Sequence, residues 1–147
     1  MLDGKGVGKF MNNIECLLKE KNLCVVSPED NGMEPLFKVG MSKIVVNTVK
    51  SPIKNGDIVV FKKEGNNEIS RVIKVKSNSF YLCKDNSDKI EKNVKKENII
   101  GVISSFITDG KVKHCESKEL KEYTEKKLKE KSKLPDYSLI NKLFCKK

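Results

Sequence analysis

The first clear signal along the chain is helical. In residues 10–21, Ile14, Leu17 and Leu18 recur at three- and four-residue intervals among polar positions, which predicts a short amphipathic helix. The period then shortens. Residues 23–26, 43–49, 57–61, 69–75, 79–83 and 99–107 are short runs rich in Val and Ile, the β-branched residues that suit a pleated surface. Between them lie Asn55-Gly56, Gly65-Asn66-Asn67, Ser77-Asn78 and Asp85-Asn86, residues that favour turns. Six short strands at this spacing predict a mainly β domain, either a partly open barrel or a coiled sheet. Asp109-Gly110 ends that region. Residues 117–131 read as an exposed helix, thin in apolar content (Leu120, Tyr123, Leu128) and supported by Glu122–Lys126 and Glu125–Lys129 pairs. Pro135 breaks the chain before a last short helix whose Leu139, Ile140, Leu143 and Phe144 form an apolar stripe, fit either to dock on the β-domain or to meet another molecule. The pattern divides the chain into an N-terminal helical segment (1–22), a β-domain (23–110) and a C-terminal helical extension (111–147).

Composition narrows the picture. At 147 residues the chain suits one domain that can bury roughly 70% of its unfolded surface without disulfide or metal support. No run approaches the ~20 apolar residues of a membrane span, and residues 1–21 lack the apolar core of a secretion signal, so we expect a cytoplasmic protein with no membrane span. Five widely spaced cysteines without a Cys-x-x-Cys pair predict reduced thiols, and a single histidine, His114 beside Cys115 in a polar run, makes a metal site or a Ser-His triad hard to build. The net charge is +10, and from residue 111 onward 12 Lys face 6 acidic residues. Only one of the 30 basic residues is Arg, alongside 13 Asn and no Ala, a bias better explained by codon supply than by function. The Lys-rich helix could contact phosphates, but interleaved Glu residues favour a solvated mixed-charge face. Gly4-x-Gly6-x-Gly8-Lys9 imitates a phosphate loop, yet Phe10 stands where Ser or Thr is required and no strand precedes it.

Five blocks between residues 23 and 107 carry a resemblance. Asp30-Asn31-Gly32-Met33-Glu34-Pro35 resembles a Gly-x-Ser-Met-x-Pro segment, and Asn55-Gly56-Asp57-Ile58-Val59-Val60-Phe61 a Gly-Asp-Ile-Val strand. Ser70-Arg71-Val72-Ile73 stands where His-Arg-Val or Lys-Arg-Val is found, Lys84-Asp85-Asn86 where Gly-Asp-Asn is found, and Ile100-Gly101-Val102-Ile103 is similar to a closing Ile-x-Gly-x-Val strand. In order and spacing they resemble the LexA and signal-peptidase superfamily of serine peptidases. The resemblance implies that superfamily's coiled β fold and no cofactor. Because the chain shows neither an N-terminal anchor nor room for a DNA-binding domain, it implies a soluble stand-alone member, and without an Ala-Gly or Cys-Gly bond no self-cleavage.

The departures decide the functional expectation. In that superfamily a serine attacks after a desolvated Lys, or in some branches a His, takes its proton, and backbone N–H groups stabilise the oxyanion. Here the resemblance places Gly32 at the nucleophile and Ser70 at the base, so both dyad positions are substituted. Lys74, on the face of Ser70 and Val72 if the strand is regular, lies roughly 13 Å along it and reads as an exposed lysine rather than a displaced base. What can survive is the substrate cleft, expected from Gly32, Met33, Pro35, Ile58, Val60, Ser70 and Val72, with several of these serving equally well as core. Gly32 itself suits a turn with positive φ or the close approach of a bound backbone. The lone Arg71 calls for a bidentate carboxylate, Asp57 or Asp85, and Asp85-Asn86 reads as an Asx-type turn; all four residues are expected to support the site structurally. The leading expectation is therefore a non-catalytic descendant that binds an extended peptide or protein segment. The alternatives are an active hydrolase using Ser27, Ser42 or Ser70, and a basic adaptor that contacts nucleic acid or an acidic partner through its C-terminal helices. Oligomeric state is left open.

Overall fold

A computed structural model describes residues 14–137. Within them α1 (Ile14–Lys21) precedes β1 (Leu23–Val26), β2 (Ser42–Asn47), β3 (Ile58–Lys63), β4 (Asn66–Val75), β5 (Ser79–Cys83), β6 (Ile90–Lys95), β7 (Ile99–Thr108) and β8 (Lys111–His114), and α2 (Lys118–Ser132) follows. The Gly4–Lys9 motif, the apolar stripe at Leu139, Ile140, Leu143 and Phe144, and Cys145 lie outside the described residues. The eight described strands form one antiparallel sheet in the order β1-β2-β7-β3-β4-β5-β6, with β8 also pairing β7. This is the mainly β architecture that the alternation of short Val/Ile runs and turns predicts.

Two strands go beyond the six predicted. β6 has only Ile90 and Val94 as apolar residues, and Asn93 interrupts the alternation with a left-handed φ of 57°. β8 is Lys-Val-Lys-His, and three of its four residues are exposed. Both are edge strands, where one apolar residue per turn of the pleat is enough and charge guards against unwanted pairing. The β3–β4 connection also differs from expectation. Its turn is Glu64-Gly65, both at positive φ (50° and 83°), so Asn66 and Asn67 open β4 rather than form the loop. A two-residue turn with both φ positive matches the twist of the flanking strands.

Alternation sorts the strand residues into three buried clusters. Ile58 and Val60 join Ile14, Leu18, Met33, Phe37, Ile44, Ile103, Phe106 and Leu120 in one core, where the Phe37 and Phe106 rings meet edge-on at 4.9 Å. Val59, Phe61, Val72, Phe80 and Leu82 fill another. Ile73, Tyr81, Cys83 and Ile90 form the third, with Leu128 of α2 packed against it. Gly101 belongs to the first for a steric reason. A Cβ there would stand 2.6 Å from Val46 Cγ1 and 2.9 Å from Asn47 O, so only glycine lets β7 and β2 approach under α1.

The second helix is less exposed than its composition predicts. Ser117 caps it by accepting from Leu120 N–H, and Leu120, Thr124, Leu128 and Lys131 face the sheet at helical spacing. Its outer face carries ion pairs to Glu116 and Lys113 and one between Lys127 and Glu130. These exposed pairs each contribute about 0.2–1 kcal/mol at most.

Candidate functional site

The site is built where β4, the end of β5 and the 28–37 segment meet. Its foundation is Arg71 on β4. The guanidinium is 1% exposed and donates from Nε and Nη2 to the two oxygens of Asp85 at 2.7 and 2.8 Å, a planar fork on a planar carboxylate. The remaining Nη1 donates to Gly56 O and Thr124 Oγ1, both at 2.9 Å, and the Tyr123 ring lies 5.8 Å from the guanidinium carbon. Of the two carboxylates expected opposite Arg71, Asp85 is the partner. Asp57 instead caps its own turn by accepting from Lys54 N–H, while its carbonyl takes the Val72 N–H.

The Asp85 carboxylate is thus spent on Arg71 rather than on an Asx turn. The turn 84–87 is closed by the backbone, Ser87 N–H to Lys84 O at 3.1 Å. This turn grips the segment that holds Gly32. Asn86 N–H donates to Gly32 O at 2.8 Å, its side-chain amide donates to Asn31 O, and Asp85 N–H points at Met33 Sδ at 3.4 Å. From behind, Lys131 of α2 is 4% exposed and donates its ammonium to Asp85 O and Ser87 O. Sequence reading missed this lysine because one more Lys in a Lys-rich helix looks solvated. The signal was its place on the stripe of Leu120, Thr124 and Leu128.

At the front, the two positions that the resemblance assigns to the dyad behave differently. Gly32 lacks the left-handed φ that its turn setting suggested, so its backbone would accept any residue. What fills the space is Lys84. A Cβ on residue 32 would stand 2.5 Å from Lys84 Cδ and 3.4 Å from its Cε, with Asp30 Oδ1 at 3.0 Å. Asp30 Oδ1 also accepts the Gly32 N–H at 2.9 Å. The backbone donor beside the nucleophile position is therefore held by a carboxylate, whose negative charge opposes an oxyanion. Ser70 is 1% exposed, and its hydroxyl has no hydrogen-bond partner among the described residues. By alternation it points into the interior of Val59, Phe61 and Val72, away from Arg71. Lys74 does not share that face. A bulge between Val72 and Lys74 pairs it with Tyr81, and its ammonium sits 5.4 and 4.9 Å from the Tyr81 and Tyr137 ring centroids.

Lys84 is the site residue that sequence reading left out. Its ammonium donates to Ile69 O at 2.8 Å and pairs with Glu68 at 3.5 Å. Beside it runs a groove of about 340 Å³ lined by Pro28, Asp30, Met33, Asn67, Ile69 and others. β4 pairs with β3 from Asn66 onward, whereas β5 ends at Cys83 opposite Arg71, so residues 66–69 form a strand edge along this groove. Burial pushes the nearby Glu29 carboxyl up, and Asp30 adds to the effect.

The other residues expected in the cleft are distributed. Met33 lines the groove and is also core, Pro35 is exposed on a turn, and Val60 and Val72 are wholly buried. Ile58 borders a separate cavity of about 600 Å³ between α2 and the sheet, together with Arg71, Cys115 and Thr124. There the Cys115 thiol is pushed up to about 11 by burial, which leaves it a poor nucleophile. Of the alternative serines, Ser42 is buried and bonded to Thr108 Oγ1 and Lys38 N–H. Ser27 accepts from Lys43 Nζ at 3.0 Å, but Lys43 is exposed, and an ammonium in water is not a base. Among the described residues no helix is long and apolar enough to cross a membrane.

Comparison with curated proteins returns no match. Comparison with protein families matches residues 3–104 to the family described as Peptidase S24-like, the LexA and signal-peptidase group. That stretch contains the Arg71–Asp85 fork, the Gly32 segment, and β1 to most of β7, so the fold and the match describe the same unit. On both grounds, the chain belongs to the Peptidase S24-like family.

Proposed function

We propose that this protein is a non-catalytic peptidase-fold protein that binds an extended peptide or protein segment in the groove between residues 28–33 and the 66–69 edge of β4. One observation carries the reading. The seat of a nucleophile is occupied by a glycine with Lys84 methylenes where its Cβ would stand, and the adjacent N–H is taken by Asp30, while the groove and strand edge beside it persist. A strand edge holds an extended chain by main-chain hydrogen bonds and leaves selection to neighbouring pockets. Met33 and Ile69 offer the apolar floor of such a pocket, and Asp30 and Glu68 its polar wall.

The adaptor reading draws less support, because α2 turns Leu120 and Lys131 inward and pairs Lys121 and Lys127 with glutamates. The described cysteines, Cys16, Cys24, Cys83 and Cys115, are free thiols, in keeping with a cytoplasmic setting. Calorimetric titration with a pool of extended peptides tests the proposal. The wild type should saturate below about 1 mM, the weak end of specific association, and Glu29→Trp, which fills the groove from an exposed position, should weaken binding at least about tenfold. Absence of saturation at millimolar peptide, or equal binding by the Trp variant, contradicts it.

A further inference from the structure

We infer that Lys84 holds the general-base seat of the lost dyad, delivered from the turn that follows β5, the strand beside the one on which position 70 lies; the inference rests on the non-catalytic reading above. Three observations converge. Arg71 pairs with Cys83, and extending that antiparallel register by one residue sets Lys84 opposite Ser70, on the same face of the sheet. The Lys84 ammonium reaches the carbonyl of Ile69, the residue before Ser70. Its Cδ and Cε lie 2.5 and 3.4 Å from the place of a Cβ on residue 32, so the Lys84 chain and a side chain attached there would be immediate neighbours. Position 70 needs no lysine because the turn after β5 already supplies one. The unpartnered Ser70 hydroxyl is what remains at the older position.

The missing parts are then two, a hydroxyl at 32 and an unblocked N–H beside it. The double substitution Asp30→Ser with Gly32→Ser should supply both. With a fluorophosphonate probe, the hydroxyl oxygen introduced at position 32 forms a bond to phosphorus, the phosphorus–fluorine bond breaks, fluoride leaves, and the hydroxyl proton passes to Lys84 Nζ once that ammonium has released a proton to water. The flexible Lys84 chain must swing aside for the new Cβ, a shift that its methylenes permit.

The double variant should be labelled at position 32. Adding Lys84→Arg, which keeps a cation for Glu68 and Ile69 O but cannot give up its proton, should slow labelling by roughly 10²-fold or more. Lys84→Met should do the same, and circular dichroism melts confirm that each variant is folded. A folded double variant that resists the probe, or one labelled equally fast with Arg or Met at 84, overturns the inference. Label on the wild type overturns the non-catalytic reading instead, so the two failures are distinguishable.

Discussion

The two sides of β4 around residues 70 and 71 have opposite characters. Behind the strand, every donor of the Arg71 guanidinium that the structure engages meets an acceptor, and α2 seals the arrangement with Thr124 and Lys131. In front, Ser70 carries an unpartnered hydroxyl, Gly32 carries no side chain, and Lys84 leans across the space between strand and loop. Free energy explains the asymmetry. Removing one partner of a buried ion pair leaves an uncompensated charge, whereas removing a nucleophile's hydroxyl removes nothing that holds the chain together. On the non-catalytic reading proposed above, the chain has lost its chemistry and kept this scaffold.

The contrast can be broken most forcefully from behind. Asp85→Ala should lower unfolding free energy by about 3–5 kcal/mol in denaturant titration, because Arg71 is left buried and unpaired. Arg71→Lys should shift it in the same direction by less, since an ammonium cannot span both carboxylate oxygens. A melting temperature unchanged by either would remove the structural role from the pair. Next in size is Lys131→Met, expected to cost about 1–3 kcal/mol by stranding the Asp85 and Ser87 carbonyls under α2.

Tyr123 sharpens the comparison through pH. Burial, helped by the Asp85 charge, pushes its phenol from the usual value near 10 up to about 12. A folded pKa above the unfolded one means that its contribution is intact below pH 10 and is lost as pH rises from 10 through 12, because only the unfolded chain ionises freely there. Tyr123→Phe should flatten that alkaline loss relative to wild type and change little at pH 7, where the lost hydroxyl is another group without a partner among the described residues. The smallest effect belongs to the front. Ser70→Ala should leave stability within about 1 kcal/mol of wild type, and on the stabilising side, because it deletes a buried hydroxyl that forms no bond. A loss above that size would mean that Ser70 has a structural role.

Much of the fold is legible in the chain because β-branched runs and turn residues mark most strands directly. What escaped lies where local pattern is weak. β6 and β8 are charged edge strands, and a bulge at Ile73 moves Lys74 to the opposite face from the one that strict alternation assigns. The Arg71–Asp85 support was legible because a lone Arg between apolar neighbours demands a carboxylate, and the order of motifs narrows the choice to two. Lys84 and Lys131 were not legible. In a sequence with 30 basic residues, nothing local separates a lysine spent on buried carbonyls from one in water. Only the register of β4 on β5 and the inward stripe of α2 bring out the difference.

Backbone amide chemical shifts followed during titration with an extended peptide test the central claim most directly. The account predicts saturable changes clustered at Asp30–Gly32 and along residues 66–69, with the peptide recovered uncut. Changes confined to α2, or peptide fragments appearing in the wild-type sample, would contradict it.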